Sequence, residues 1–383
     1  ILATTRLAGN VSIAQNQTKT LELKKIRVAD GSLDVTTAGA LKVSDVAIVA
    51  NEDTSDITLN AAGNITLGYL SAGKFVTDAT STAKVTSFGD ISIATTAGSI
   101  AQISLDSSVD LVADEVSLSA TTGISEIDIA VNTLKNITTT SGNITLKDMN
   151  SYGESNQTLK IGTISALKSA QTTTTIESSG TVKVDSSSKI TSDIVRLVSE
   201  NDDVIVEKPT AGTNLDYGYG IGLSAVNGTV SSYQFFNATG YLEYRAGEQF
   251  QFGYSGSQAY NLTNSSGTTT VDFSQMLPSG LSADTIILQT KETLTIQATD
   301  NITASKRLEL VSDKGVYVFG SVNVKATDSD SKIDNFIVNS GADIVISNNG
   351  ISVAKYDLEA KNNISIENKI ADLTLSGDIK TTT

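Results

Sequence analysis

Short segments that alternate apolar and polar residues run along the chain. In the last hundred residues, segments of the form apolar-x-apolar recur mostly six to eight positions apart. They begin at Ile286, Leu294, Leu308, Val316, Val322, Phe336, Ile344, Ile351, Ile364 and Leu373. A period of two indicates β-strands whose alternate side chains enter a core.

Every third segment start defines a longer repeat. The steps from 286 to 308, 294 to 316, 322 to 344, 336 to 358 and 351 to 373 are each 22 residues. Three short strands would therefore make one coil of about 20 to 22 residues, and no helical period interrupts them. We predict an all-β protein, a three-faced parallel β-helix. The alternative is an antiparallel sandwich, which needs frequent Asn-Gly or Asp-Gly turns, and these are few here.

A corner motif precedes several of the strands in the N-terminal half. A glycine, usually followed by Asn or Asp, leads into a β-branched run at Gly63–Leu67, Gly89–Ile93, Gly142–Leu146 and Gly180–Val184. Glycine accepts positive φ, and Asn or Asp tolerates it and can bond its own backbone. The corner and the strand that follows it are thus encoded together.

Composition narrows the function. The chain has no His, Cys or Trp and carries a formal net charge of -15, which excludes His- or Cys-based catalytic dyads and the usual zinc, haem and iron-sulfur ligand sets. Its acidity and scattered cations disfavour nucleic acid as a partner, and no apolar run is long enough to predict a membrane-spanning segment. Because Ile1 begins within an alternating pattern, we expect a processed product or a fragment.

Part of the chain resembles a known family. The segments Ala113–Ile124 (ADEVSLSATTGI), Ile127–Leu134 (IDIAVNTL) and Thr140–Leu146 (TSGNITL) are similar to the degenerate repeats of filamentous-haemagglutinin-type bacterial exoproteins. The resemblance continues to about Val206 and recurs loosely after Ser282. It implies a right-handed parallel β-helix rod, extracellular or on the cell surface, that serves adhesion, filament building or matrix, and it brings no catalytic motif.

One stretch departs from the pattern. Twelve of the twenty Tyr and Phe residues lie between Tyr217 and Phe273, and the only two prolines, Pro209 and Pro278, bracket it. We predict three parts: a β-helix over 1–208, an aromatic and Gly-rich inserted β segment over 209–278, and a β-helix over 279–383. Within the insert, 241–244 and 250–254 alternate on either side of 245–248, which predicts an aromatic-rich antiparallel excursion in the form of a hairpin.

The inserted segment has two interpretations. Aromatic faces suit glycans and protein partners, so Tyr241, Tyr244, Phe252 and Tyr254 are the candidate contact residues, although alternation lets only one member of each neighbouring pair face outward. The simpler interpretation is that the segment uses aromatic residues to build a local core.

Other polar motifs give weaker signals. Acidic clusters at Glu52, Asp53 and Asp56, at Asn201, Asp202 and Asp203, and at Asp328, Asp330 and Asp334 leave calcium open as a ligand. The calcium-binding Gly-Gly-x-Gly-x-Asp repeat is absent, so we expect no cofactor. Twelve Asn-x-Ser/Thr sequons are explained mostly by corner asparagines that precede β-branched strands.

These observations predict a non-catalytic structural or adhesive protein. Its expected partners are itself, end to end or laterally, or a host or matrix glycan or surface protein. One alternative is a self-assembling surface-layer or fibre subunit. A less favoured alternative is a polysaccharide-degrading β-helix enzyme, because paired-carboxylate glycosidases need no His.

Overall fold

A computed structural model of the 383-residue chain describes most of the sequence. The described residues are 1–4, 9–48, 55–72, 75–77, 83–85, 89–104, 108–149, 158–168, 172–234, 236, 238–248, 250–252, 260–261, 268–271, 281–291, 293–296, 298, 300–324, 336–348, 351–353, 356–368 and 377–381. They form a right-handed parallel β-helix, and no helix occurs among them. Across these residues no apolar helix of membrane-spanning length is present.

The chain divides into two compact units. Unit 1 comprises Ile1–Asp202 with Pro209–Tyr217, and unit 2 comprises Asp203–Lys208 with Gly218–Thr383. The predicted three-part division, with boundaries at 208/209 and 278/279, does not coincide with these units.

The first eighteen strands belong to unit 1. They are β1 (Leu2–Thr4), β2 (Val11–Gln15), β3 (Leu21–Leu23), β4 (Lys25–Val28), β5 (Leu33–Thr37), β6 (Leu41–Ile48), β7 (Ile57–Ala61), β8 (Ile65–Ala72), β9 (Phe75–Thr77), β10 (Ala83–Val85), β11 (Ile91–Thr95), β12 (Ile100–Gln102), β13 (Leu111–Ala120), β14 (Ile124–Thr139), β15 (Ile144–Asp148), β16 (Thr158–Ser165), β17 (Thr173–Ser178) and β18 (Thr181–Ser199).

The remaining strands belong to unit 2, except that β20 begins in unit 1. They are β19 (Val204–Val206), β20 (Leu215–Ala225), β21 (Val230–Ser232), β22 (Tyr241–Ala246), β23 (Phe250–Phe252), β24 (Tyr260–Asn261), β25 (Thr268–Val271), β26 (Leu281–Thr290), β27 (Thr293–Ile296), β28 (Asn301–Ser312), β29 (Gly315–Val318), β30 (Ser321–Val324), β31 (Phe336–Ser340), β32 (Asp343–Asn348), β33 (Ile351–Val353), β34 (Tyr356–Ala360), β35 (Ile364–Asn368) and β36 (Gly377–Thr381).

Unit 1 contains three parallel ladders, one for each face of the coil. The first joins β2, β5, β7, β11, β13, β14, β16 and β18. The second joins β3, β6, β8, β12, β14, β15, β17 and β18. The third joins β1, β4, β6, β8, β13 and β14. Long strands such as β14 bend from one face to the next and contribute to more than one ladder.

Unit 2 has the same plan. The numbering of the ladders continues from unit 1, and the fourth ladder joins β20, β22, β26, β28, β31, β34 and β36. The fifth joins β25, β27, β29, β32 and β35, and the sixth joins β26, β28, β30 and β33. From β26 to β35 the chain passes through ladders six, four and five in turn, so these coils contain the three strands that the sequence pattern predicts.

The core of each unit is mainly aliphatic, and in unit 2 it also contains Phe236, Tyr244 and Phe336. On β6, for example, Leu41, Val43, Val46 and Ile48 are at most 1% exposed, and the residues between them are half-buried. Complete burial of such a side chain stabilises the fold by roughly 1.5–3 kcal/mol. Stacked coils repeat this contribution, so each coil is stabilised mainly by its neighbours.

Corner residues connect one coil to the next, whereas the sequence motif predicts that Asn or Asp bonds its own backbone. Strands begin directly after Asn64 and Asn143, and the side-chain Oδ1 atom of each accepts a hydrogen bond from a backbone N–H of the following coil. For Asn143 the donor is Thr173 N, at 2.9 Å. The same bond forms at Asn10, Asp56, Asp90, Asp110, Asp203 and Asp343. Corner carboxylates and amides therefore extend the hydrogen-bond ladder where the strands end.

The predicted 22-residue steps are partly correct. Ile286 pairs with Leu308 and Leu294 pairs with Val316, as predicted. The step from 322 to 344 is wrong, because Val322 pairs with Ile351 across a longer coil. The step from 336 to 358 is also wrong, because Phe336 pairs with Tyr356 and not with residue 358. The observed register differs from the predicted one by two residues, and since side chains alternate with a period of two, the same side chains still face inward. Residue 373 lies outside the described residues.

The hairpin predicted between 241–244 and 250–254 is wrong. Strand β22 is parallel to its partners β20 and β26, and β23 is parallel to β21. Leu242 and Tyr244 therefore extend the inward columns of the coil. An antiparallel pair does occur one strand later, between β23 and β24. The coil thus continues through the first part of the predicted insert.

Candidate functional site

The predicted aromatic contact residues have different environments. Tyr241 points outward from β22 and is half-buried, and its hydroxyl donates a hydrogen bond to the Glu243 carboxylate. Tyr244 is 1% exposed, so a surface contact role for it is not supported by this placement. Only the backbone of Phe252 is described, and Tyr254 lies outside the described residues.

Tyr244 is a core residue with a specific polar role. Its hydroxyl accepts a hydrogen bond from Phe236 N at 2.8 Å and donates one to Phe236 O at 3.1 Å. Burial of a phenol requires such partners, and here both are backbone groups of the corner segment before β22. Tyr244 therefore holds that corner onto the core, in agreement with the local-core interpretation of the aromatic stretch.

A buried carboxylate lies on the outward face of β22. Glu243 is 3% exposed, although its strand neighbours Tyr241 and Arg245 are half-buried. Arg245 Nε pairs with one carboxylate oxygen and the Tyr241 hydroxyl donates to the other. The Arg245 guanidinium also donates to the Gln289 side chain on β26. These donors satisfy the buried charge and fix the position of the guanidinium.

A second polar cluster lies nearby in unit 2. Asp284 accepts hydrogen bonds from Ser305 Oγ and pairs with Lys306 Nζ at 2.9 Å, and Tyr219 Oη lies 3.5 Å away. The Ser305 hydrogen bond, followed by Lys306, lowers the pKa of the Asp284 carboxyl. The Tyr219 ring covers Gly240, where an added Cβ would lie 2.0 Å from a ring carbon. These contacts join outward residues of successive coils.

One outward column of the fourth ladder crosses seven coils. Register pairs connect its members in unbroken order, namely Ser224, Arg245, Gln289, Val311, Asn339, Glu359 and Lys380. Two residues after each of the first six members, the corner residues Val226, Gly247, Lys291, Asp313, Gly341 and Lys361 form a second line beside the column. We call the surface between these two lines the edge groove.

Two recesses mark the edge groove. The first has a volume of about 120 Å³ and lies where Arg245, Gln289 and Lys291 meet the exposed side chain of Val226. The second has a volume of about 570 Å³ and is lined by Asp313, Asn339, Glu359 and Lys361, among others. The first covers the three earlier coils of the groove and the second the three later ones. With coils about 4.8 Å apart, the groove extends roughly 24 Å.

Charge changes along the edge groove. The earlier recess contains the cations Arg245 and Lys291, and Lys291 Nζ also donates to Asn227 Oδ1 at 2.7 Å. The later recess contains two carboxylates, Asp313 and Glu359, with the ammonium of Lys361. Amide side chains lie in both recesses. The groove thus offers hydrogen-bond donors and acceptors of both charge signs along one line.

Unit 1 carries a lysine clamp on its second ladder. Lys147 Nζ lies 3.1 Å from Glu177 Oε1 and 3.0 Å from Glu200 Oε1. Burial, then a hydrogen bond with Glu200, raises the pKa of the Glu177 carboxyl, and the same hydrogen bond lowers the pKa of Glu200. Divergent carboxyl pKa values are typical of glycosidase pairs. Here, however, the two carboxyl groups hydrogen-bond to each other and both pair with the Lys147 ammonium, so they are closer than the about 5 Å that separates a glycosidase pair.

The predicted calcium clusters are only partly described. Asp56 and Asp203 use their carboxylates to accept backbone hydrogen bonds from the next coil, whereas 52, 53, 328, 330 and 334 lie outside the described residues. Within the described ranges, no group of three or more acidic side chains is placed to hold a metal ion. Corner carboxylates therefore act as structural acceptors where their contacts are seen.

The sequence pattern did not reveal the edge groove. Its members are separated by unequal numbers of residues, and only the strand register aligns them.

Comparisons with protein-family models, curated proteins and solved structures find no match to the chain.

Proposed function

We propose that the chain is a non-catalytic structural or adhesive protein, a segment of an extracellular or cell-surface β-helical rod or filament. The observation that carries this proposal is the bonding between coils. Corner Asn and Asp side chains bond to the backbone of the next coil, and outward Lys–Glu pairs join successive coils. Polar side chains used in this way reinforce a scaffold.

The resemblance to filamentous-haemagglutinin-type repeats supports the same proposal. It rests on the segments between Ala113 and Leu146, whose strands lie in the first and second ladders of unit 1. The absence of His and Cys from the sequence removes the most common catalytic groups. Partners of a scaffold of this kind would be a second copy, a matrix glycan or a surface protein.

Enzyme activity is the alternative that a direct assay separates. The purified chain is incubated with a panel of neutral and acidic polysaccharides, and new reducing ends are measured over time. We expect none above the level of the boiled protein. Release of reducing ends that is lost in Glu177→Gln or Glu200→Gln would overturn the non-catalytic proposal and identify the clamp as an acid–base pair.

Self-assembly is the second alternative, in which the main partner is the chain itself. Fifteen excess negative charges oppose association at neutral pH, and acidification toward the pI near 4.5, or a divalent cation, relieves this repulsion. A surface-layer or fibre subunit should then sediment as larger species, and electron micrographs should show ordered filaments or sheets. An unchanged monomer under all conditions would contradict this alternative.

A further inference from the structure

We propose that the edge groove of unit 2 binds a neutral, linear glycan chain that lies along the stacking direction of the coils. This inference deepens the adhesive function proposed above and rests on it. It starts from an alignment: two separate recesses occupy consecutive sets of three coils on the same edge. A ligand that filled both would have to be an extended polymer.

The dimensions suit a polysaccharide. Successive side chains of the column, such as Arg245 and Gln289 or Asn339 and Glu359, are register partners on adjacent coils. Their spacing is therefore about 4.8 Å, close to the advance per unit of an extended glycan. The later recess has a volume of about 570 Å³ and is largely open to solvent, which an extended polymer requires. Each coil can thus meet one sugar unit.

The charges favour a neutral chain over a charged one. A polyanion would be repelled by Asp313 and Glu359 as well as by the net charge of the protein. A polycation would find no continuous line of acidic partners, because Lys291 and the Glu243-paired Arg245 occupy the earlier recess. A hydroxyl group both donates and accepts, so it can donate to the carboxylates and accept from the cations. Amide groups such as that of Asn339 serve either role.

The backbone of the groove favours a glycan over a peptide. Extended peptides bind to sheet edges through free backbone groups. In the groove the corner backbone already pairs with the next coil, through Gly247 N to Ala225 O and Gly341 N to Ser312 O, both at 2.8 Å. Side chains are therefore the groups that the groove offers, and these suit hydroxyl ligands.

The test measures binding to the full chain by isothermal titration calorimetry. The probes are hexasaccharides and disaccharides of β-1,4-glucan, α-1,4-glucan and β-1,4-mannan, with oligogalacturonate, chitosan oligomers and a Gly-Ser peptide for comparison. We expect at least one neutral hexasaccharide to bind, and its disaccharide to bind more weakly. Preference for an oligogalacturonate, a chitosan oligomer or the peptide would overturn the proposal, as would the absence of binding by every neutral hexasaccharide.

Matched variants locate the binding. The double substitution Gln289→Ala with Asn339→Ala removes one amide from each recess, and we expect it to weaken hexasaccharide binding by ~10-fold. The control is Thr303→Ala with Asn323→Ala, an outward register pair on the sixth ladder of the same unit. Circular dichroism and urea unfolding confirm that both variants fold. Equal binding by the two variants would overturn the assignment of the groove.

The outcome is separable from that of the proposed function. Cleavage of a bound glucan or mannan would refute the non-catalytic proposal and leave the groove assignment intact. Conversely, a chain that assembles or attaches to surfaces but binds no neutral hexasaccharide would retain the proposed function and lose the groove.

Discussion

Asn143 and Asn136 begin the same tripeptide, Asn-Ile-Thr, in different environments. Asn143 lies at a corner, where its Oδ1 accepts a hydrogen bond from Thr173 N at 2.9 Å. Asn136 lies within β14 and is exposed on the outward face. Replacement of each by alanine therefore separates the effect of a corner bond from that of the residue type.

The Asn143→Ala substitution removes the side-chain acceptor of one backbone N–H. A hydrogen bond of this kind contributes about 0.5–1.5 kcal/mol, and because the corner is exposed, water replaces part of it. We expect a loss of about 1 kcal/mol in the stability of the two coils that the bond joins. Asn136→Ala should change stability by less than ~0.5 kcal/mol. Asn143→Asp keeps the oxygen acceptor and should retain most of the stability.

Hydrogen exchange is the appropriate assay, because coils of a solenoid can open locally. A loss of about 1 kcal/mol should raise the exchange rate of amides in 173–178 about fivefold under conditions where exchange follows the opening equilibrium. Peptides from the first coils of unit 1 serve as internal references. If Asn143→Ala and Asn136→Ala exchange alike, or if Asn143→Asp behaves as Asn143→Ala, the corner bond does not stabilise the coil.

Three further substitutions test individual contacts. Tyr244→Phe leaves the buried N–H and C=O of Phe236 without the hydroxyl, so urea unfolding should show a loss of roughly 1–3 kcal/mol, and an unchanged midpoint would contradict the core role. Gly142→Ala should lower the free energy of unfolding in the same assay by at least about 1–2 kcal/mol, because φ at Gly142 is +82° and the added Cβ would lie 2.2 Å from Thr122 O. An unchanged free energy of unfolding would show that the corner relaxes freely. Burial raises the pKa of Asp185, but hydrogen bonds from Ser187 and Ser188 outweigh burial and lower it. The contribution of Asp185 to stability therefore exists above about pH 4 and disappears as pH falls through the folded-state pKa. The stability difference between the wild-type chain and Asp185→Asn should therefore shrink on acidification, and a difference that stays constant with pH would refute this assignment.

The sequence by itself determined the local elements. The period-two pattern of β-branched residues specified strands, and three segments per repeat specified the coil. Gly-Asn and Gly-Asp pairs marked the corners, but the positive φ expected of the glycine occurs at Gly142 and not at Gly63, Gly89 or Gly180. At Gly89 close approach of the neighbouring coil is the constraint, because an added Cβ would lie 2.3 Å from Ser55 O. The steps from Ile286 to Leu308 and from Leu294 to Val316 were correct because the intervening coils have equal length.

Only the tertiary structure decided which strands pair. Alternation of side chains is the same in parallel and antiparallel strands, so 241–244 and 250–254 gave no indication that their partners lie one coil away. Likewise, alternation shows that Tyr241 and Tyr244 face opposite sides, but the match of Tyr244 with Leu223 and Leu288 decides which of them is buried.

The edge groove depends wholly on tertiary structure. Coils of unequal length separate Arg245, Gln289 and Asn339 by irregular intervals, and no sequence period relates them. Inward positions are constrained locally, because each must be apolar in order to enter the core. Outward positions acquire neighbours only when hydrogen bonds between coils fix the register, so the surface that meets a ligand is set by the stacking of the coils.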